Sequence, residues 1–219
     1  PEICGFVVYA AYRHLGYTPA EAWEAMSLLY GDDGAHAADE GLADALELVA
    51  KQLGLKLKCE VIERGQPIPF LGRYFVDPCT MPDSFQDPIR TLQKIHLTPN
   101  RELTPAQAMA NKAYGYLATD SKTPLIGTWS RKVLELTGCK GMVQATHEET
   151  FKANNSWPQE NTFAIAEAMA KKLDVSTVEL LLMDELVKET DALEMFPVLI
   201  EIGLEAKIDA VVGGEIVYA

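Results

Sequence analysis

The sequence is poor in cysteine and in basic residues, and it has no long hydrophobic run. Its four cysteines (Cys4, Cys59, Cys79 and Cys139) are too few and too irregularly spaced for a disulfide scaffold or a cysteine metal site. Reduced thiols of this kind are expected in an intracellular compartment. No stretch approaches the roughly 20 apolar residues that a membrane span needs, so no membrane segment is expected, nor a secretory signal. Lysine and arginine number 19 against 32 Asp and Glu, for a net charge of −13. That sum argues against a nucleic-acid track spread over the whole surface. Residues 51–101 break the pattern, with eight basic residues against five acidic ones, a local +3 within the −13. From Gln159 to Ala219 thirteen acidic residues face four basic ones, which fits a solvated or protein-facing surface.

At 219 residues the chain can bury a real core, as one large or two small domains. Residues Cys4 to Gly16 read as a helix apolar almost all round, and hence as a buried one. A helix of this kind at the very start suggests a chain cut from something larger. Thr18-Pro19 caps a short helix running to about Met26. Asp39 is expected to cap a helix through Leu53, with Leu42, Ala45, Leu46, Val49 and Leu53 on one face and Gly54 at its end. Leu55 to Ile62 alternates with period two and predicts a strand; Pro69 to Val76 predicts a second. The order helix, hairpin, helix, strand, strand is that of an α+β layer.

After Asp77 the character changes. Asp87-Pro88, Thr104-Pro105 and Thr123-Pro124 each put a capping oxygen before proline, and Thr146 and Ser176 open capping boxes. Helices are predicted near 88–96, 105–118, 124–137, 147–153, 159–173 and 177–190, an all-helical second unit. Residues 208–219 read equally as a strand or as a loose tail.

Between the second and third expected helices, an apolar run enters a tight turn at Tyr30-Gly31-Asp32-Asp33-Gly34. Glycine on both sides permits the torsions of a short hairpin. Adjacent carboxylates repel, and an oxygen-only pair of this kind suits Mg²⁺ or Mn²⁺ completed by substrate phosphates. Taken alone, Gly-Asp-Asp-Gly is no more than an acidic turn.

With its flanks, the turn resembles motif C of viral RNA-dependent RNA polymerases. The helix from Asp39 with Leu55-Lys56-Leu57-Lys58 resembles motif D of that family. Phe70-Leu71-Gly72-Arg73-Tyr74-Phe75 resembles its motif E, a hairpin that grips the primer end. The nodavirus and noda-like group is the most similar. It has counterparts of Phe70–Arg73, of Ser84-Phe85-Gln86-Asp87-Pro88-Ile89-Arg90, and of Lys94-Ile95-His96-Leu97-Thr98. The resemblance covers roughly residues 1–100, and three motifs in order are more specific than any one alone.

The resemblance implies a fold, α+β, in which residues 1–76 form the C-terminal half of a polymerase palm and residues 77–219 an all-helical thumb. It implies two-metal nucleotidyl transfer with Asp32 and Asp33 as Mg²⁺ or Mn²⁺ ligands. A general-acid lysine is implied near motif D, and both Lys58 and Lys56 qualify; spacing does not choose between them. Arg73, Arg90, Lys94 and His96 are implied to contact primer or template. A surface ion pair for Arg73, and a packed core position for His96, account for those residues as well. His36 is expected to pack on the hairpin. The implied partners are template and primer RNA, nucleoside triphosphates, and the remaining fingers and palm of a polymerase, at a replication complex in the host cytoplasm.

The family's motifs A and B do not occur in the 31 residues before Asp32. The opening helix resembles only the tail of the motif B helix, and Asp174 and Asp184 lie in amphipathic helical sequence. A fragment of a polymerase and a subunit of a divided one both fit. A non-catalytic helical adaptor with a palm-like hairpin is the alternative of a different class.

Overall fold

A computed structural model describes residues 2–26, 28–37, 39–95, 97, 102–142, 157–197, 200, 208–212 and 215–218. They form eight helices and three small antiparallel sheets. The chain divides into two compact units, Pro1–Asp87 with Pro158–Ala168, and Pro88–Trp157 with Met169–Ala219.

In the first unit, α1 (Glu2–His14) lies against α3 (Leu42–Gln52), and α2 (Pro19–Glu24) closes one side. Val7, Val8, Ala11 and Tyr12 of α1 meet Leu42, Ala45, Leu46 and Val49 of α3 in one buried cluster. Each such large side chain contributes about 1.5–3 kcal/mol on leaving water. Helix α1, expected to be buried all round, is not: Ile3 and Phe6 are 65% and 57% exposed.

Helix α2 starts where Thr18-Pro19 predicts, with a reciprocal cap: Glu21 N–H donates to Thr18 Oγ1, and Thr18 N–H to Glu21 Oε2. Asp39 does not cap α3. The turn at Glu40-Gly41 delays the helix, Gly41 (φ +76) takes the cap position, and the Asp39 carboxylate instead accepts from Tyr17 Oη at 3.4 Å. Gly54 (φ +73) ends α3 in a Schellman motif, with Leu55 N–H donating to Ala50 O and Gly54 N–H to Lys51 O.

Strands β1 (Leu28–Tyr30) and β2 (Asp33–Ala35) form a hairpin in the register Leu28↔Ala35, Leu29↔Gly34, Tyr30↔Asp33. Residues Leu55–Ile62, expected as a strand, pair with no strand among the described residues. The alternation survives only in part: Cys59 packs on the α1–α3 cluster, while Leu55, Leu57 and Val61 are 42%, 41% and 66% exposed. A period-two pattern makes a strand only where a neighbouring edge supplies the ladder. The single strand expected over Pro69–Val76 is instead a hairpin. It runs up as β3 (Ile68–Phe70), turns at Leu71-Gly72, and returns as β4 (Arg73–Phe75). Both turn residues have positive φ (51° and 71°), the signature of a two-residue I′ turn. Strand β5 (Ser84–Gln86) adds to β4, which carries this unit beyond residue 76.

In the second unit, α4 (Pro88–Lys94), α5 (Pro105–Asp120), α6 (Ile126–Thr137) and α8 (Thr177–Lys188) appear close to their expected spans. Helix α7 (Thr162–Leu173) begins in the first unit and ends in the second. Thr104 and Ser176 make full capping boxes with Gln107 and Glu179. Thr123 does not cap α6. Its hydroxyl donates to Asp120 Oδ1, and the helix begins after Leu125 (φ +62), whose N–H donates to Asp184 Oδ1 at 2.5 Å. Thr128 Oγ1 donates to Asp184 Oδ2 at 2.9 Å, so this cap comes from α8, 59 residues along the chain from Leu125. Gly127 lets the first turn of α6 pass close to the end of α5, since a Cβ there would lie 2.3 Å from Ser121 O. The second unit is not all-helical: β6 (Ile208–Val212) and β7 (Glu215–Tyr218) pair antiparallel. The helix expected at 147–153 lies outside the described residues.

Candidate active site

The β1–β2 hairpin is built by its own sequence. Leu29 packs on the α1–α3 cluster, which turns Leu28 and Tyr30 outward, 64% and 68% exposed. Gly31 (φ +62) takes the first turn position, as a II′ turn requires, and Asp32 the second. Asp33 opens β2 opposite Tyr30 and so shares its outer face. Gly34 cannot be larger without displacing a neighbour: a Cβ there would lie 2.7 Å from His36 Nε2 and 3.3 Å from a Leu29 methyl. The His36 ring therefore lies against Gly34. Burial lowers the imidazole pKa from its ordinary 6.5, because Nδ1 is enclosed with no hydrogen-bond partner among the described residues.

The result is a turn carrying two adjacent exposed carboxylates. Neither the Asp32 nor the Asp33 carboxylate has a hydrogen bond or ion pair among the described residues. Both line a groove of about 1600 Å³ in the first unit, together with His36, Lys56, Lys58 and Leu71. Lys56 and Lys58 are likewise exposed and unpaired among the described residues. Lys56 also borders a smaller hollow of about 540 Å³ beside Asp44, Glu47 and Lys51, which Lys58 does not. Two uncompensated carboxylates and two uncompensated ammonium groups thus surround one concavity.

The donor set suits a hard divalent cation, bound by one or two carboxylates and completed by phosphate oxygens. Among the described residues no group of three or more His, Cys, Asp or Glu gathers to form a closed all-protein cage. Adjacent unpaired carboxylates of this kind leave coordination positions for a substrate.

The remaining expected site residues fall elsewhere. Arg73 is not solvent-facing. It is 6% exposed, and donates from Nε to Ser84 Oγ at 3.1 Å and from Nη2 to Ser84 O at 3.0 Å. Leu71, two residues before it, is 45% exposed at the turn. Arg90 and Lys94 are exposed on α4, in the second unit. The Lys94 carbonyl accepts from Lys112 Nζ at 2.6 Å, and burial lowers the Lys112 pKa to about 8. His96 lies outside the described residues. Asp83 and Gln159, both buried and both bonded to this sheet region, were not singled out from the sequence. Nothing local marks Gln159, which lies 75 residues from its partner Ser84.

Sequence comparison supplies the context for this turn. No protein-family model matches the chain. It is 44% identical over 213 residues to the RNA-directed RNA polymerase of Pieris rapae virus, covering 97% of this chain. It is 47% identical over 215 residues to that of Pariacoto virus, again over 97% of the chain. With the RNA-directed RNA polymerase of greasy grouper nervous necrosis virus it shares 33% over 223 residues. The chain is homologous to part of the nodavirus-group RNA-directed RNA polymerases. It spans only about a fifth of the length of these curated relatives, 21% and 22% of the first two. The homology runs almost from end to end of the chain, so it extends well beyond the roughly 100 residues that the motifs cover. Among the described residues, no helix is long and apolar enough to cross a membrane.

Proposed function

We propose that this chain supplies the motif C, D and E portion of a viral RNA-directed RNA polymerase. The observation that carries the reading is the pair of unpaired carboxylates, Asp32 and Asp33, on a tight turn facing a groove that also holds Lys56 and Lys58. Asp32, at the turn itself, is the direct ligand for Mg²⁺ or Mn²⁺; Asp33, which begins the strand, is the second and more replaceable one. When bound, such ions neutralise the charge that develops on the attacking and leaving oxygens. Lys58 gives a proton to the leaving pyrophosphate. Lys56 is the weaker candidate, because it also borders the hollow beside Asp44 and Glu47. The exposed β3–β4 turn meets the primer end.

Residues 1–76 serve as the palm portion and 77–219 as the thumb. The missing motifs A and B come from the rest of the polymerase, in the same or a second polypeptide. The outward side chains Ile3, Phe6, Leu28 and Tyr30 supply the apolar surface that this remainder covers. Template and primer RNA and nucleoside triphosphates are the partners.

The test is Asp32→Ala in a full-length polymerase carrying this sequence. Nucleotide addition should fall roughly 10³-fold or more, since several kcal/mol of transition-state stabilisation are lost, while RNA binding stays nearly intact. Full activity in this variant would end the polymerase reading.

A further inference from the structure

We infer that residues 158–161 act as a latch on the β3–β4–β5 sheet, and that Arg73 is a positioning residue of this latch, not a primer contact. The inference rests on the polymerase reading above. Four polar side chains meet inside the first unit with almost no exposure: Arg73 6%, Asp83 1%, Ser84 0% and Gln159 6%. The Ser84 carbonyl accepts from Arg73 Nη2 and from Gln159 Nε2, each at 3.0 Å, which occupies both its lone pairs. Asp83 Oδ1 accepts the backbone amides of Glu160 and Asn161 at 2.5 and 2.9 Å. These bonds span 75 to 78 residues of chain.

On the other side of the sheet region, Val76 N–H donates to Asp83 O, and Asp87 N–H to Gly72 O. The turn carbonyl and the base of the hairpin are therefore both tied to the strand that the latch grips. A base this firmly held suits a turn that keeps Leu71 at φ +51, where a branched side chain is disfavoured. The turn borders the same groove as Asp32 and Asp33. A guanidinium with two of its nitrogens engaged inside the sheet orients that turn and does not itself reach for phosphate.

In the full-length polymerase, Gln159→Leu removes one donor to Ser84 O at nearly constant volume. The primer–template KM should rise roughly tenfold, the scale of one lost buried hydrogen bond, with kcat at saturating primer unchanged. Asp83→Ala should behave alike. Asp83→Asn keeps an oxygen for the two amides and should restore a near-wild-type KM. Rates are taken per titrated active site, so loss of folded protein does not enter. A fall in kcat with unchanged primer KM, or no change in either, overturns the inference. It is overturned equally if Arg73→Met lowers the salt dependence of primer binding by about one counterion while Gln159→Leu leaves primer KM unchanged. Asp32→Ala separates the two levels. If it is inactive and the latch variants are silent, only the latch falls; if it is active, the polymerase reading falls with it.

Discussion

The first unit contains two hairpins with two-residue turns, and they handle charge in opposite ways. The β1–β2 turn leaves Asp32 and Asp33 exposed and unpaired among the described residues, with Leu29 packed on the α1–α3 cluster below and the His36 ring across Gly34. The β3–β4 hairpin carries its charge inside, where Arg73 is bonded to Ser84 and the sheet is fastened by residues about 75 positions away. A carboxylate meant for a cation has to remain free of protein partners, because any internal partner competes with the ligand. A turn meant to bear on a substrate at a fixed place needs a rigid base, and buried hydrogen-bonded charge supplies it. Function at the first hairpin comes from what it leaves unsatisfied, and at the second from what it satisfies.

The sharpest contrast is Asp32→Ala against Arg73→Met. The first should reduce nucleotide addition roughly 10³-fold or more while changing unfolding free energy by less than about 0.5 kcal/mol, as for other surface substitutions. Were Asp32→Ala also strongly destabilising, the turn would not be free of protein partners and the comparison would break. Lys58→Leu should slow addition roughly 10²–10⁴-fold, and Lys56→Leu much less, with nucleotide KM little changed in both. Parallel single-turnover assays decide this, and a larger effect at Lys56 would reverse the assignment.

Arg73→Met should cost about 2 kcal/mol of stability, measured by urea unfolding, because a buried hydrogen-bonded group is lost and Ser84 Oγ loses its donor. Gly34→Ala should cost about 1–3 kcal/mol through the close approach to His36, and Gly34→Ala with His36→Ala should recover part of it. Additive effects would show that the ring does not press on the strand.

The smallest effect is one of pH. The folded His36 has a lowered pKa, so it resists the proton that the unfolded chain accepts near 6.5. The stability from neutral His36 is complete above 6.5. It declines as pH falls below that value, until the folded form also takes a proton. His36→Gln should remove this component of the pH dependence, and an unchanged profile would mean that the ring is hydrated.

Much of this was legible in the sequence wherever the cause was local. Thr18, Thr104 and Ser176 were readable as caps because their partners lie three residues on, and Gly54 as a stop because the torsion it takes is its own. The Tyr30–Gly34 turn was readable for the same reason. Failures came where a partner elsewhere decided. Leu55–Ile62 has the alternation of a strand but no ladder among the described residues. Asp39 and Thr123 looked like caps, yet one bonds Tyr17 and the other Asp120, while Asp184 from α8 caps α6. Phe70–Phe75 resembled a hairpin motif although its pattern read as a single strand, and there the resemblance was the better guide.

By itself the sequence determined the acidic turn, most helix starts and the kinship with polymerases, since each depends on residues within a few positions or on a linear motif. Tertiary structure alone decided that Arg73 is buried, that Gln159 meets Ser84, and that Asp32, Asp33, Lys56 and Lys58 border one groove. Those outcomes depend on which groups meet after the chain has folded back on itself. A buried polar group takes whichever partner packing brings within reach, and no spacing along the chain encodes that.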